Sequence, residues 1–165
     1  MSEYRRRSAR VLVVDNADRV LLIKFLKSAK RWKRGHDWIT PGGGVQDGEP
    51  LSTAASRELL EEIGLAVTPE ELGEPVAYAS GHVEFSWLQG TVRDDFFYHR
   101  VDAHDVDTSR MEKLELRHHG GHKWWTTDEL LATTETVYPL ELVPLLTELL
   151  AGRVPTDPVR LPWHH

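Results

Sequence analysis

The chain contains no cysteine. This absence excludes a disulfide framework, a thiol nucleophile and a thiolate metal site, and nothing in the composition argues for an oxidising compartment. The chain also lacks an apolar run of the roughly 20 residues that a membrane span needs. Charged and polar residues interrupt the first apolar stretch, namely Asp15, Asn16, Asp18 and Arg19. We therefore expect a cytoplasmic protein with neither a secretory signal nor a membrane partner.

Length and composition predict one domain over residues 1–165, with a Pro-rich tail at about residues 153–165. Of the 165 residues, 40% are hydrophobic, which is enough for a sizeable core. The net charge of −6 is unevenly distributed, since residues 1–34 hold 11 Lys or Arg and only three acids. The basic residues 1–34 could attract phosphate, and the acidic residues 35–165 could hold cations. The alternative is that both sets of charges lie on ordinary solvated faces.

Hydrophobic patterning predicts a mixed α/β sandwich. Strand-type runs occupy residues 10–14, 20–25, 38–40, 76–80, 82–88, 96–101 and 123–125. Helices are predicted for residues 50–63, ending at Gly64 in a left-handed cap, for a short segment after Thr126 or Thr127, and for residues 142–150. Residues 102–121 are predicted to be a loop.

The segment at residues 43–65, GGVQDGEPLSTAASRELLEEIGL, concentrates residues suited to metal and phosphate chemistry. On the predicted helix, Glu58, Glu61 and Glu62 stand at i, i+3 and i+4, so their carboxylates share one face. Such oxygen donors suit Mg²⁺ or Mn²⁺. An exposed acidic face is the ordinary alternative, and the flanking glycines together with Arg57 favour a metal site.

The glycines before this helix are the second part of the predicted site. Gly42, Gly43 and Gly44 have no Cβ, so their backbone can approach a metal ion and a phosphate closely. Taken alone, a triple glycine would more often be a plain turn.

The whole segment resembles the signature of the Nudix hydrolases at every fixed position. The matching residues are Gly43, Glu49, Arg57, Glu58, Leu59, Glu61, Glu62, Gly64 and Leu65. The resemblance implies an α/β/α sandwich with a mixed β-sheet and a central catalytic helix. It also implies hydrolysis of a pyrophosphate linkage in a nucleoside diphosphate derivative, with Mg²⁺ or Mn²⁺ as the cofactor.

The same resemblance implies roles for individual residues. The implied metal ligands are the carbonyl of Gly42 and the carboxylates of Glu58, Glu61 and Glu62. Arg57 is implied to support catalysis by pairing with Glu49, which holds the glycine loop against the helix. A carboxylate must also accept a proton from the attacking water. Candidates for this base are Glu61 and Glu62 within the segment and, beyond it, Glu115 as first choice, then Glu112, Asp94 and Asp95.

Substrate contacts are predicted at the glycines and in a basic loop. We expect Gly43 and Gly44 to approach the phosphates, and the 27–36 loop, KSAKRWKRGH, to supply Lys30, Arg31, Trp32 and Arg34. A solvated loop is the alternative for that segment. Trp87, Phe97 and Tyr98 are other candidate platforms for a base, although each is expected to pack in the core.

Several functional alternatives stay open at this point. A nucleotide-sensing Nudix module without activity is the main alternative, and the retained glutamates argue against it. A Nudix-fold isoprenyl diphosphate isomerase uses a cysteine, which this chain lacks. The expected partner is a small nucleotide: modified nucleoside triphosphates, dinucleoside polyphosphates and capped RNA 5′ ends all fit. The sequence does not determine the oligomeric state, and a homodimer is compatible with it.

Overall fold

A computed structural model describes residues 4–27 and 35–163 of the chain. Eight strands and five helices are found within this part. The strands are β1 Arg6–Val14, β2 Val20–Leu26, β3 His36–Ile39, β4 Gly42–Gly44, β5 Ala77–Glu84, β6 Gln89–Arg100, β7 His119–Trp125 and β8 Val159–Arg160. The helices are α1 Leu51–Ile63, α2 Pro69–Leu72, α3 Lys113–His118, α4 Thr127–Ala132 and α5 Leu142–Leu150.

The strands form one mixed sheet around β1. The order is β3-β2-β1-β6-β5-β8, while β4 pairs with β1 and β7 pairs with β2. Strand β1 runs parallel to β6 and antiparallel to β2 and β4. This arrangement confirms the predicted mixed α/β architecture.

Alternating side chains of β1 enter two separate apolar layers. Val11 and Val13 pack in the cluster that includes the buried face of α1, whereas Leu12 and Val14 pack in the cluster that includes α5. Successive residues of a strand point to opposite faces, so helices cover both sides of the sheet. The chain therefore has the α/β/α layering implied by the Nudix resemblance.

Helix α1 forms where the sequence predicts it. Its buried apolar side includes Ala54, Ala55, Leu59 and Ile63, at spacings that place them towards the sheet. Gly64 ends the helix in the left-handed region, with φ 71° and its amide bonded to carbonyls of the last turn. The acidic side of the helix is thereby held over the glycine strand β4.

The glycine segment is a short strand, where a turn would be the ordinary expectation for three glycines. Gly42, Gly43 and Gly44 pair with Arg10, Ala9 and Ser8 of β1. Gly42 has φ 144°, and a Cβ there would lie 2.3 Å from the carbonyl oxygen of Ala9. Only glycine meets both requirements at position 42.

The predicted secondary structure is wrong in several places, including residues 90–95, which were expected to be a turn region and lie within β6. Residues 102–121 were expected to be a loop, but they contain α3 and the start of β7. Helix α3 is short and has no side-chain cap, so local sequence signals for it are weak. Gly81 was expected to separate two strands, but it lies within β5, where its missing side chain makes room for Trp163.

The predicted aromatic platforms differ in their burial. Phe97 is buried and Tyr98 is partly buried, both as expected. The expectation that Trp87 packs in the core is wrong, because 70% of its surface is exposed. It lies in the turn between β5 and β6, beyond the end of the strand. Among the described residues, no helix combines the length and apolar character that crossing a bilayer requires.

Candidate metal and phosphate site

Three carboxylates converge beside the glycine strand. One oxygen each of Glu58, Glu61 and Glu115 lie within 4.8 Å of one another. Glu58 and Glu61 come from one turn of α1, and Glu115 is carried by α3. One Glu115 oxygen, Oε2, is buried and has no hydrogen-bond partner in the described parts of the chain. Like charges this close repel each other unless a cation or protons compensate them.

Glu62 is oriented differently from these three side chains. Its Oε2 atom accepts a 2.9 Å hydrogen bond from the backbone N–H of Gly42. Burial raises the pKa of Glu62 to about 8, and the Gly42 bond opposes that shift. Glu62 therefore joins α1 to the start of β4 and lies outside the cluster of three.

Arg57 connects the loop, the glycine strand and the carboxylates. Its Nε and Nη2 atoms donate to the two oxygens of Glu49, each at 2.9 Å. Nη2 also donates to the Gly44 carbonyl at 3.0 Å, and Nη1 donates to Glu58 at 2.9 Å and to Glu61 at 3.4 Å. A planar guanidinium with five N–H donors can hold all these acceptors at once, which an ammonium group cannot.

Gly43 allows the glycine strand to approach the buried carboxylate of Glu58. A Cβ at position 43 would lie 2.6 Å from both the Cδ and the Oε1 of Glu58. Burial raises the pKa of the Glu58 carboxyl, while the hydrogen bond and charge of Arg57 act in the opposite direction. The carboxylate is thus confined between backbone and guanidinium, with little freedom to move.

The pKa of Glu115 is also raised. Burial is the main cause, and the neighbouring charges of Glu112 and Glu61 add to it. A carboxylate with a raised pKa is a better proton acceptor than an ordinary exposed one. A bound cation would oppose the shift by stabilising the ionised form.

A cleft of about 210 Å³ opens over this cluster. Its acidic lining includes Glu58, Glu62 and Glu115, and its basic lining consists of Arg6 and Arg10. Arg10 donates to the Thr40 carbonyl at 3.0 Å, whereas Arg6 is exposed. Carboxylates for a cation and guanidinium groups for phosphate thus lie in the same cleft.

The predicted site residues fall into three groups. The first group lines the cleft or is hydrogen-bonded to its lining through Arg57: the lining residues are Gly42, Gly43, Gly44, Glu58, Glu62 and Glu115, and the connected residues are Glu49, Arg57 and Glu61. Those that lie outside the described residues are Lys30, Arg31, Trp32 and Arg34. The third group consists of the other candidate bases.

Those other candidate bases occupy different settings. Glu112 is exposed at the start of α3. Asp95 is buried and bonds to Arg7 at 2.7 Å and to Arg93 at 3.1 Å, so it serves the packing of β1 against β6. Asp94 lies 3.9 Å from the Nε of Arg10, at the edge of a neighbouring cavity.

Sequence reasoning missed Arg6 and Arg10 as site residues. They lie on the same face of β1, together with Ser8, because side chains alternate along a strand. The alternation was visible in the sequence, but the extent of the strand was not, because apolar residues begin only at Ala9. From the sequence alone, the strand would therefore be expected to begin after Arg6.

His118, at the end of α3, is not one of the three residues of the carboxylate cluster. The Nδ1 atom of His118 lies 2.7 Å from the carbonyl oxygen of Leu26. The His118 ring stacks on the ring of Phe25, with 5.1 Å between the centroids. A nitrogen close to a carbonyl oxygen must carry the proton, so this Nδ1 acts as a donor. His118 therefore fixes the edge of the cleft through packing and a backbone contact.

Curated relatives match parts of this chain. An RNA pyrophosphohydrolase of Wolbachia pipientis wMel is 57% identical over 35 residues, which are 21% of this chain and 22% of the relative. An oxidized purine nucleoside triphosphate hydrolase of Danio rerio is 27% identical over 106 residues, which are 64% of this chain and 60% of the relative. The matches thus span about a fifth of the first relative's length and less than two thirds of the second's.

Solved structures share the fold over nearly the whole chain. A MutT protein from Methanosarcina mazei Go1 has a TM-score of 0.63 and 19% identity, over 92% of this chain and 97% of that one. The E. coli dihydroneopterin triphosphate pyrophosphohydrolase has a TM-score of 0.62 and 18% identity, over 92% and 99%. The NUDIX domain family matches residues 4–146. This match, over most of the chain, confirms the resemblance carried by the signature: the protein belongs to the NUDIX domain family.

Proposed function

We propose that this protein is a metal-dependent pyrophosphohydrolase that cleaves a phosphoanhydride bond in a nucleoside diphosphate derivative. The observation that carries the proposal is the convergence of Glu58, Glu61 and Glu115 within 4.8 Å, beside a glycine strand and two arginines. The activities of the two curated relatives, an RNA pyrophosphohydrolase and an oxidized purine nucleoside triphosphate hydrolase, support the same class of bond.

The residues present fit a hard divalent cation. Mg²⁺ and Mn²⁺ prefer carboxylate, carbonyl and water oxygens, and they usually retain open positions for phosphate oxygens. Glu58, Glu61 and Glu115 would hold such an ion, and the unpartnered Oε2 of Glu115 is an available donor. When bound, the ion would lower the pKa of the attacking water and neutralise charge on the phosphates. The Gly42 carbonyl and Glu62 remain proposed ligands from the Nudix resemblance.

The protein's own side chains position the reacting groups. Arg57 holds Glu49, Glu58 and the Gly44 carbonyl in one arrangement before substrate arrives. Such preorganisation lowers the reorganisation needed in the transition state. Glu115 is the proposed acceptor of the proton from the attacking water, because only one of its two oxygens joins the cluster with Glu58 and Glu61 and the other is left to take the proton. Arg6 and Arg10 bind the phosphate oxygens that face away from the carboxylates.

A nucleotide-sensing module without activity is a weaker proposal. It would need phosphate contacts but not three converging carboxylates, which repel each other at a cost in stability when no cation is bound. Small nucleotides and RNA 5′ ends both stay within the proposed substrate class, since both present a phosphoanhydride to the cleft. The proposed cellular setting remains the cytoplasm, and a homodimer remains a proposal.

Phosphate release from a set of nucleotide derivatives tests the proposal. Wild-type protein is assayed with Mg²⁺, with Mn²⁺ and with excess EDTA, beside Glu61→Gln and Glu70→Gln. Glu70 is an exposed acid on α2 away from the cleft, so its substitution is a matched control for the loss of one negative charge. We expect activity that EDTA abolishes, a loss of at least about 100-fold in Glu61→Gln, and no change in Glu70→Gln.

Two results would contradict the proposal. Equal phosphate release by wild type and Glu61→Gln would mean that the carboxylate cluster does not carry the reaction. Nucleotide binding without any hydrolysis in Mg²⁺ or Mn²⁺ would favour the sensing module.

A further inference from the structure

A second cavity, of about 330 Å³, opens directly from the carboxylate cleft. The two share four lining residues, Arg6, Arg10, Phe25 and Ile39. Small-molecule sites commonly enclose about 300 to 1,000 Å³, so the second cavity has room for a substantial organic group. A ligand that crosses the shared wall would reach from the carboxylates into this second space.

Aromatic side chains form the far walls of the second cavity. Phe85, Trp87, Tyr138 and Trp163 all line it. Trp87 is 70% exposed, and its ring stacks on Phe85 with centroids 5.4 Å apart and planes 10° apart. Single exposed aromatic side chains are common, but a contiguous aromatic surface that lines a cavity often marks a ligand site. Flat aromatic faces favour a flat, heteroaromatic ligand.

Trp163 reaches this cavity because the tail joins the sheet. Strand β8 pairs in parallel with β5, and the Leu161 amide continues the pairing with a 2.8 Å bond to the Tyr78 carbonyl. Leu161 is buried and anchors the tail. The indole of Trp163 then lies over Gly81, where a Cβ would be 2.1 Å from its Cδ1 atom. Gly81 therefore determines where this indole can lie.

Cations lie at the junction between the two cavities. Arg6 and Arg10 line both spaces, and they project from the same face of β1. In the described residues Arg6 has no carboxylate within the 4.0 Å of an ion pair. An anionic chain that runs from the aromatic walls to the carboxylate cluster would pass both guanidinium groups.

We propose that the second cavity binds the base of a nucleoside 5′-polyphosphate, with Trp163 and Trp87 as its aromatic walls. Arg6 and Arg10 bind the phosphates between the base and the carboxylate cluster. Trp163 is then a specificity-determining residue supplied by the C-terminal tail. This inference deepens the proposed function and rests on it for the position of the reacting phosphate.

Two substitutions test the inference, each with GTP and with ribose 5-triphosphate, which has the phosphates but no base. Trp163→Ala removes the indole, and Gly81→Ala displaces it without removing it, since the backbone at Gly81 has no positive φ to lose. We expect KM for GTP to rise about tenfold in both variants, the size of one lost base–aromatic stacking contact. Turnover of ribose 5-triphosphate should stay within about twofold of wild type.

Trp163→Phe and Leu131→Ala complete the design. Trp163→Phe keeps an aromatic face and should recover part of the affinity for GTP. Leu131 is an exposed apolar side chain on α4 that does not line the cavity, so Leu131→Ala should match wild type. Circular dichroism and thermal melting of each variant show whether the fold is retained.

The possible outcomes separate the two proposals. An unchanged KM for GTP in Trp163→Ala would overturn the base site, and an equal rise for both substrates would overturn it too, because the contact would not involve the base. Calorimetric titration of GTP measures binding independently of hydrolysis. If GTP binds wild type but neither GTP nor any other nucleotide of the phosphate-release set is hydrolysed, the proposed function fails, and about tenfold weaker binding of GTP to Trp163→Ala would still support the base site.

Discussion

The α-carbon of Gly43 lies so close to the Glu58 carboxylate that a methyl group there would sit 2.6 Å from its carbon and one of its oxygens. In the wild-type protein Glu58 is held in this position, because Arg57 donates to it at 2.9 Å and the residue is buried. Strand β4 and helix α1 are thus in contact through a charged side chain. The missing side chain of Gly43 is therefore part of the architecture of the site.

Gly43→Ala should leave the fold intact and greatly reduce activity. The backbone of Gly43 has no positive φ, so alanine is tolerated locally and the Glu58 carboxylate must move. We expect kcat to fall by about 100-fold, as displacement of a catalytic group by about 1 Å commonly causes. Steady-state kinetics and circular dichroism measure the two effects.

Gly44→Ala is the matched control for that variant. A Cβ at Gly44 would meet only the guanidinium of Arg6, at 3.8 Å, which is ordinary van der Waals contact. Its kcat should stay within about threefold of wild type. Equal losses in both variants would mean that the approach of Gly43 to Glu58 has no special importance.

Arg57→Lys should impair metal binding although it preserves the charge. A single ammonium group cannot replace the paired bonds to Glu49 together with those to Glu58 and the Gly44 carbonyl. We expect a 10- to 100-fold weaker apparent affinity for Mg²⁺, as is typical when groups that orient metal ligands are lost. Titration of activity with Mg²⁺ gives the value.

Arg153→Lys provides the comparison at an exposed ion pair. Arg153 pairs with Glu148 on the surface, where such pairs contribute little to stability. Neither Mg²⁺ dependence nor melting temperature should change. A similar response of the Arg57 and Arg153 variants would show that Arg57 is only a surface partner.

Glu115→Gln should lower kcat with a smaller change in KM. The amide keeps the size of the side chain but cannot accept a proton, so the loss should lie at about 100-fold or more. Glu112→Gln, at the exposed start of the same helix, should have little effect on either constant. A loss of kcat in Glu112→Gln and none in Glu115→Gln would show that Glu112, and not Glu115, accepts the proton.

The metal-free protein should become less stable as pH rises from about 5 to 9. Burial raises the pKa of Glu62 from 4.5 to about 8, so between these values the folded state binds a proton that the unfolded chain has released. The stability that the Glu62 proton contributes is fully present below pH 4.5 and is lost as pH rises through about 8. Thermal melts in EDTA across this range measure the effect, with an expected fall of several degrees.

Glu62→Gln removes this titration and supplies the comparison. Its melting temperature in EDTA should vary less with pH than that of wild type, and at pH 9 it should be the higher of the two. Mg²⁺ should raise the wild-type value most at high pH, because ligands that bind only the folded state stabilise it. A wild-type melting temperature that rises towards pH 9 in EDTA would refute the assignment.

The local part of the site could be predicted from the sequence. The spacing of Glu58, Glu61 and Glu62 follows directly from helical geometry, and Gly64 marks the end of the helix by its conformational freedom. Even so, spacing did not separate the roles of neighbouring acids. Glu62 turns to the amide of Gly42, and Glu115, far away in sequence, lies with Glu58 and Glu61.

The remaining features depend on long-range pairing, which local patterns do not encode. Arg6 enters the cleft because β1 extends further towards the N terminus than its apolar residues indicate. Trp163 reaches a cavity because a two-residue strand joins the sheet beside β5. Trp87 reads as a core residue in a strand pattern, yet it lies past the strand end and in solvent.

Strand β1 changes character along a single face. Arg6, Ser8 and Arg10 border the ligand cavity, and further along the same face Leu12 and Val14 enter an apolar layer. Sliding this strand by one residue would reverse both halves together, since every side chain would swap sides. Burial of Leu12 and Val14 therefore fixes the register of β1. That register in turn directs Arg6 and Arg10 towards the cavity.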